Sequence, residues 1–144
     1  REACKREMSK RLYLAGPIQG REDEQDYRER LRGWLMEKGY EVHDPWLNEL
    51  KLNGDWKNDR GVGVKIVEGD LEAIRKSDGV VAYVPQASTG TSQELIMAYR
   101  VYGIPTFIIY KRKEEVSPWL YVHATKIYRT ITEFKERFTE DFPA

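Results

Sequence analysis

The chain has 144 residues, enough for one domain with a single hydrophobic core. Its 24 basic residues balance its 24 acidic residues, so no overall field attracts a nucleic-acid polymer or an anionic membrane. The one cysteine, Cys4, excludes an internal disulfide and a cysteine-based metal cluster. It suits a reducing cytoplasm, where we expect the protein to be located.

The first ten residues are charged and show no apolar pattern. We expect residues 1–10 to be an extension that is disordered or not native, with Met8 as a candidate natural start. Residues 11–144 would then form the single domain. Residues 12–15 are apolar without alternation, which predicts a strand covered on both faces. The loop at 16–20 follows, and its glycines permit a ligand to approach the backbone closely.

A helix is predicted at 23–38 and a second strand at 41–45. The next segment, 46–65, is rich in Asn, Gly, Lys and Asp and also contains Trp46 and Trp56. A long irregular segment inside a compact domain is either a functional lid or disordered. Two tryptophans favour the lid, because purely solvated loops are poor in aromatic residues.

A third helix is predicted at about 64–76, and Asp70 lies within its apolar stripe. The stripe consists of Ile66, Val67, Leu71 and Ile74. An unpaired buried carboxylate is costly, so Asp70 must meet a partner or line a polar cavity. The alternative is a carboxylate that points to water.

Residues 80–84 predict a buried central strand, followed by a small-residue loop and a helix that starts near Thr91. Glu94 would fall in the first turn of that helix. Helical spacing places it on the face of Ala98, Val101 and Tyr102. Thr91 and Glu94 also fit a capping box, in which the glutamate would only bind the amide that starts its own helix.

The remaining pattern predicts a strand at 106–110, a short helix opened by Ser117 and Pro118, an edge strand at 126–130 and a helix at 132–138. Alternating strands and helices indicate a parallel sheet. We therefore expect an α/β fold of the flavodoxin-like (Rossmann-like) type, with five strands in the order 2-1-3-4-5 and helices on both faces.

In such a fold the crevice lies between strands 1 and 3. The loops at 16–20 and 85–91 leave those two strands, so we expect Tyr13, Glu94 and Asp70 to converge there. Two carboxylates and a tyrosine suit nucleophilic attack at an anomeric carbon with protonation of the leaving group.

The glycine loop lacks the Walker A and dinucleotide-binding patterns, and the two histidines, His43 and His123, lie far apart in the sequence. We expect both histidines to be structural. We therefore expect neither a cofactor nor a metal.

Three motifs resemble the nucleoside 2-deoxyribosyltransferase superfamily over about residues 12–138. They are Leu-Tyr-Leu-Ala-Gly-Pro-Ile-x-Gly at 12–20, Asp-Leu-x-x-Ile-x-x-Ser-Asp at 70–78 and Ser-x-Gly-Thr-x-x-Glu-Leu-x-x-Ala at 88–98. The resemblance implies that Glu94 attacks C1′ of a deoxynucleoside, that Tyr13 orients Glu94, and that Asp70 assists protonation of the base. It also implies substrate-binding roles in the two loops for Gly16, Pro17, Ile18, Gly20, Ser88, Gly90 and Thr91.

Ser88 occupies the position where the transferases usually carry an aspartate that binds sugar hydroxyls. A serine there is similar to the 2′-deoxynucleoside 5′-monophosphate N-hydrolase branch, since a serine hydroxyl can donate to a phosphate that an aspartate would repel. In that branch a serine from the neighbouring subunit also reaches the phosphate. Ser117 is the candidate match, which implies a homodimer, although a helix N-cap is its alternative role.

The resulting hypothesis is hydrolysis of 2′-deoxynucleoside 5′-monophosphates to deoxyribose 5-phosphate and free base, through a glutamyl–deoxyribosyl intermediate. The partner would be a small-molecule deoxynucleotide or deoxynucleoside, with no nucleic-acid polymer and no membrane. One alternative is base exchange on unphosphorylated deoxynucleosides. Others are hydrolysis of ribonucleotides such as CMP and non-catalytic nucleotide sensing on the same fold.

Overall fold

The computed structural model describes residues 9–18, 21–49 and 59–144. The strands are β1 (Arg11–Ala15), β2 (Glu41–His43), β3 (Gly79–Val84), β4 (Thr106–Tyr110) and β5 (Lys126–Tyr128). The α-helices are α1 (Asp26–Glu37), α2 (Trp46–Glu49), α3 (Arg60–Arg75), α4 (Thr89–Ile96), α5 (Pro118–Tyr121) and α6 (Ile131–Asp141), and a π-helix (Met97–Val101) continues α4.

All strand pairs are parallel, and the order is β2-β1-β3-β4-β5. This confirms the predicted flavodoxin-like order. Because side chains alternate along a strand, each strand supplies both faces of the sheet. Leu12 and Leu14 pack with α1 and α6 on one face, while Tyr13 and Ala15 pack with α3 and α4 on the other.

The start of α3 differs from the prediction, because the helix begins at Arg60 and not near residue 64. Asp59 is its N-cap and accepts hydrogen bonds from the N–H groups of Gly61 (2.8 Å) and Val62 (3.3 Å). Two glycines in the first turn hide this start, since glycine is a poor helix former. Both ends of the predicted lid segment, 46–65, are therefore helical, while residues 50–58, including Trp56, lie outside the described residues.

The predicted apolar stripes were partly wrong. Val67 of α3 is 55% exposed and lines a cavity, whereas Ile74 of the same stripe is buried in the core. Val101 is 58% exposed, since the wider π-helical turn shifts the register after Ile96. Ala98 is buried as expected.

The other elements match their predicted positions to within a few residues at each end. Gly39 ends α1 with a φ of 95°, a conformation that glycine adopts without strain. Within the described residues, the helices are too short or too polar to cross a lipid bilayer.

Candidate active site

A cavity of about 590 Å³ lies at the carboxyl ends of β1 and β3. Its walls come from the loop after β1, one face of α3, the loop after β3 and the first turns of α4. This is the crevice between strands 1 and 3 that the predicted topology indicates, and ligands bind at such a switch point in open parallel sheets.

Glu94 lines this cavity, and the Tyr13 hydroxyl donates a hydrogen bond to its Oε2. The two residues are 81 positions apart and meet because β1 and β3 are neighbours in the sheet. The N-cap of α4 is Ser88, whose Oγ accepts from the N–H of Thr91 at 3.3 Å. The capping box starting at Thr91 is therefore wrong, and Glu94 lies in the second turn of α4.

Asp70 projects from α3 and lines the same cavity. Burial raises its pKa from 3.8 to about 6, against the lowering effects of the Tyr13 hydroxyl and the Arg28 charge. Burial and the nearby charges of Glu94 and Asp70 raise the pKa of Tyr13 well above its usual value. Tyr13 therefore stays protonated as a hydrogen-bond donor, and Asp70 is able to exchange a proton near neutral pH.

Most of the predicted substrate-binding residues line the cavity, namely Gly16, Pro17, Ile18, Ser88, Gly90 and Thr91. Gly20 lies outside the described residues. Ser117 is the N-cap of α5, where its Oγ accepts from the N–H of Trp119 at 3.2 Å. It does not line the described part of this chain's own cavity.

Arg28 and Asp44 form a buried ion pair that the sequence pattern does not predict, with Nη1 of Arg28 2.9 Å from Oδ1 of Asp44. Arg28 is 1% exposed, lines the cavity and donates to the carbonyl oxygens of Leu14 (3.1 Å) and Gly16 (2.7 Å). Arg28 stands three residues before the buried Leu31, so an arginine on the apolar stripe of a helix was the available signal.

The two histidines are integrated into the structure. The His43 ring stacks on Tyr13, with centroids 5.7 Å apart. His123 is buried, lies 2.8 Å from the carbonyl oxygen of Trp119 through Nδ1, and accepts from Nε of Arg100 at 3.0 Å. Within the described ranges, His, Cys, Asp and Glu side chains form no group of three or more able to hold a metal ion.

The fold and the site together define a flavodoxin-like α/β protein with a tyrosine-held carboxylate and a second, readily protonated carboxyl in one cleft. A model of the nucleoside 2-deoxyribosyltransferase family matches residues 12–137. The chain therefore belongs to that family. The family is named for an enzyme that acts on the glycosidic bond of nucleosides, so the chain is assigned to the enzymes of that bond.

Several solved structures share the fold. A 2-deoxyribosyltransferase from Bacillus psychrosaccharolyticus aligns with a TM-score of 0.71 and 20% identity, over 87% of this chain and 90% of that one. The CMP N-glycosidase BcmB of Clostridium botulinum aligns with a TM-score of 0.62 and 23% identity, over 90% of this chain and 98% of that one. A deoxyribosyltransferase from Leishmania mexicana aligns with a TM-score of 0.60 and 17% identity, over 89% of this chain and 98% of that one. Comparison with curated proteins gave no match.

Proposed function

We propose that the enzyme hydrolyses the N-glycosidic bond of 2′-deoxynucleoside 5′-monophosphates, giving deoxyribose 5-phosphate and a free base. The observation that carries this proposal is the contact between Tyr13 and Glu94 in a cavity that Asp70 also lines. A carboxylate oriented by a buried donor is placed for attack, and a carboxyl with a pKa of about 6 is suited to give up a proton.

In the first step, an oxygen of Glu94 forms a bond to C1′ while the bond from C1′ to the base nitrogen breaks. The departing base takes up the proton of Asp70. Water then attacks C1′ of the ester, gives a proton to the Asp70 carboxylate, and releases Glu94. Two displacements at C1′ retain its configuration.

The preference for a phosphorylated substrate is supported by Ser88 and by the helix that it caps. A carboxylate at this position would repel a phosphate, whereas the Ser88 hydroxyl and the first N–H groups of α4 can donate to one. Ser88 lines the cavity in which the substrate would bind.

The second candidate is base exchange between unphosphorylated deoxynucleosides, which the description of the matching family model favours. The two reactions share the glutamyl ester and differ in the acceptor, which is water in one and a second base in the other. The fold does not discriminate between them, because both transferases and an N-glycosidase share it.

We also propose a homodimer in which Ser117 reaches the phosphate of the neighbouring site. Ser117 is exposed at the start of α5 and is not among the described residues that line its own chain's cavity. The same short helix carries exposed aromatic side chains, with Trp119 71% and Tyr121 53% exposed, which a second copy would cover.

The test is chromatography of the base released from a panel of deoxynucleotides, deoxynucleosides and ribonucleotides. Release from deoxynucleoside monophosphates without exchange onto an added base is the expected result. Release only from free nucleosides, with exchange, would establish the transferase reaction instead. Release from ribonucleotides would reassign the sugar, and ligand-dependent thermal stabilisation without any release would indicate a sensing domain.

Glu94→Ala should abolish turnover and leave the melting temperature nearly unchanged, because the side chain lies at the cavity wall. Glu140→Ala is the matched control, since it removes an exposed glutamate from α6 on the opposite face of the sheet. Retained turnover in Glu94→Ala would remove the nucleophile assignment.

A further inference from the structure

A phosphate in this cavity needs a positive charge, and Arg28 is already committed elsewhere. Among the described residues that line the cavity, Arg28 is the one with a positive charge. Its Nε donates to Oε1 of Gln25 (2.6 Å), its Nη2 to the carbonyl of Gly16 (2.7 Å), and its Nη1 to Asp44 and Leu14. Binding a phosphate would break a buried ion pair, which is costly.

Arg21 is held at the edge of the same cavity by its backbone. Its N–H donates to the carbonyl of Ile18 (2.9 Å), and its own carbonyl accepts from Nε2 of the buried Gln25 (2.7 Å). Nη1 of Arg21 donates to Oε1 of Gln86, in the loop after β3. Both Ile18 and Gln86 line the cavity, so the guanidinium lies next to it.

The partners of Arg21 leave its charge available. Gln86 offers a neutral amide oxygen. Arg21 also forms an ion pair with Glu24, and this ion pair is weak because the side chain of Glu24 is 52% exposed. A phosphate oxygen is a stronger acceptor than an amide oxygen, because charge-assisted hydrogen bonds are stronger and a guanidinium can bind phosphate through two N–H groups.

A second observation points to a polar ligand at this place. Thr91 lies in the first turn of α4, lines the cavity and is 2% exposed, and its Oγ1 is buried with no hydrogen-bond partner among the described residues. A buried hydroxyl without a partner is unfavourable unless a ligand supplies one. Gln86, Ser88 and Thr91 therefore form one corner of the cavity, with Arg21 beside it.

We propose that Arg21 determines the specificity of the enzyme for 5′-phosphorylated substrates. The guanidinium leaves the amide oxygen of Gln86 and pairs with the phosphate that the start of α4 holds. This inference rests on the proposed function, because it assumes a nucleotide as the substrate. The positive charge at the phosphate site then comes from Arg21, because the buried ion pair of Arg28 keeps that residue from binding the phosphate.

The test compares the wild-type chain with Arg21→Gln and Gln86→Glu. Arg21→Gln removes the charge, and Gln86→Glu gives Arg21 a competing carboxylate. We expect each change to raise KM for a deoxynucleoside monophosphate, and Kd for deoxyribose 5-phosphate by calorimetry, about 10- to 100-fold, as expected for a lost charge-assisted hydrogen bond. The value of kcat should fall far less, and Arg21→Lys should recover part of the affinity.

Arg30→Gln is the matched control, because it removes an exposed arginine of α1 and should leave KM and Kd unchanged. If the wild-type chain acts on monophosphates and Arg21→Gln shows unchanged KM and Kd, the assignment of Arg21 is wrong and the proposed function stands. If the wild-type chain releases base only from free nucleosides and does not bind deoxyribose 5-phosphate, both fall together.

Discussion

Asp70 differs in its environment from the carboxylates on the surface. A hydrogen bond from Arg75 lowers the pKa of Glu72, and a backbone hydrogen bond together with the Arg112 charge lowers that of Glu114, whereas burial raises the pKa of Asp70 to about 6. A raised pKa means that the protonated form is the favoured one below about pH 6 and the ionised form above it. An acid that must be protonated to act therefore loses effect as the pH rises through this value.

We expect the rate of base release to fall about tenfold per pH unit above pH 6, because a shrinking fraction of Asp70 carries the proton. Asp70→Asn should slow base release by roughly 100- to 10,000-fold and remove this fall of the rate at alkaline pH, the alkaline limb of the pH–rate profile. Single-turnover rates between pH 5 and 9 measure both effects. An unchanged limb in Asp70→Asn would assign the proton to another group.

The buried pair of Arg28 and Asp44 yields a prediction about stability. Asp44→Ala leaves the guanidinium of Arg28 in the interior without its carboxylate, and we expect a loss of about 3–5 kcal/mol in the free energy of unfolding. Urea denaturation measures this loss. Asp23→Ala, which removes an exposed aspartate, should change stability by less than about 0.5 kcal/mol, and equal losses in both would contradict the assignment.

At the scale of the elements, the loop after β1 depends on the absence of a side chain at Gly16. A Cβ there would overlap the hydroxyl of Tyr27, whose ring packs on Tyr83 with centroids 4.4 Å apart. Tyr27 cannot move without disturbing this aromatic contact. The close approach therefore fixes the position of the loop that lines the cavity.

Gly16→Ala and Gly33→Ala should change stability in opposite directions. The first creates a clash in a packed region and should cost about 1–3 kcal/mol. The second adds a methyl group on α1 with no described atom within 4 Å of it, and should stabilise the helix by about 0.5–1 kcal/mol. Thermal denaturation of both variants measures the difference, and a stabilising Gly16→Ala would show that the loop can relax.

The start of a helix was harder to predict than its existence. The start of α3 was missed because glycines precede its apolar stripe, and that of α4 because Thr91 fits the capping pattern that Ser88 fulfils. The side chain of Val101 was assigned to the wrong face, since an α-helical period does not anticipate a π-helical turn. A local pattern does not fix an N-cap when two nearby hydroxyl residues, such as Ser88 and Thr91, could each fill that position. It does not fix the helical register when a π-helical turn interrupts the α-helix.

At the scale of the whole molecule, the strand order was predictable because strands and helices alternate and parallel crossovers have one hand. That order alone brought Tyr13 to Glu94, and the position of Asp70 on an apolar stripe indicated the third residue of the site. Arg28 and Asp44 were not predicted, because charged residues are normally assigned to the surface. Their mutual burial depends on tertiary contacts between α1 and the end of β2.

The proposed homodimer gives a prediction for mixed subunits. Sedimentation should give twice the 16.9 kDa mass of the chain. Glu94→Ala lacks the nucleophile, and Ser117→Ala should weaken phosphate binding in the neighbouring site. Mixing the two variants should restore activity, since one site of each heterodimer then has both native residues. No recovery after subunit exchange, or a monomer in solution, would exclude a shared site.

The pairing of β1 with β3, in which Tyr13 lies opposite Val80, has a consequence for refolding. A slip of one residue in this pairing would turn the tyrosine to the other side of the sheet, away from Glu94. Chains that regain helices and compactness with misaligned strands would then be catalytically silent. The turnover recovered after dilution from urea would measure the fraction of chains with correctly aligned strands. Circular dichroism alone does not distinguish these chains from misaligned ones.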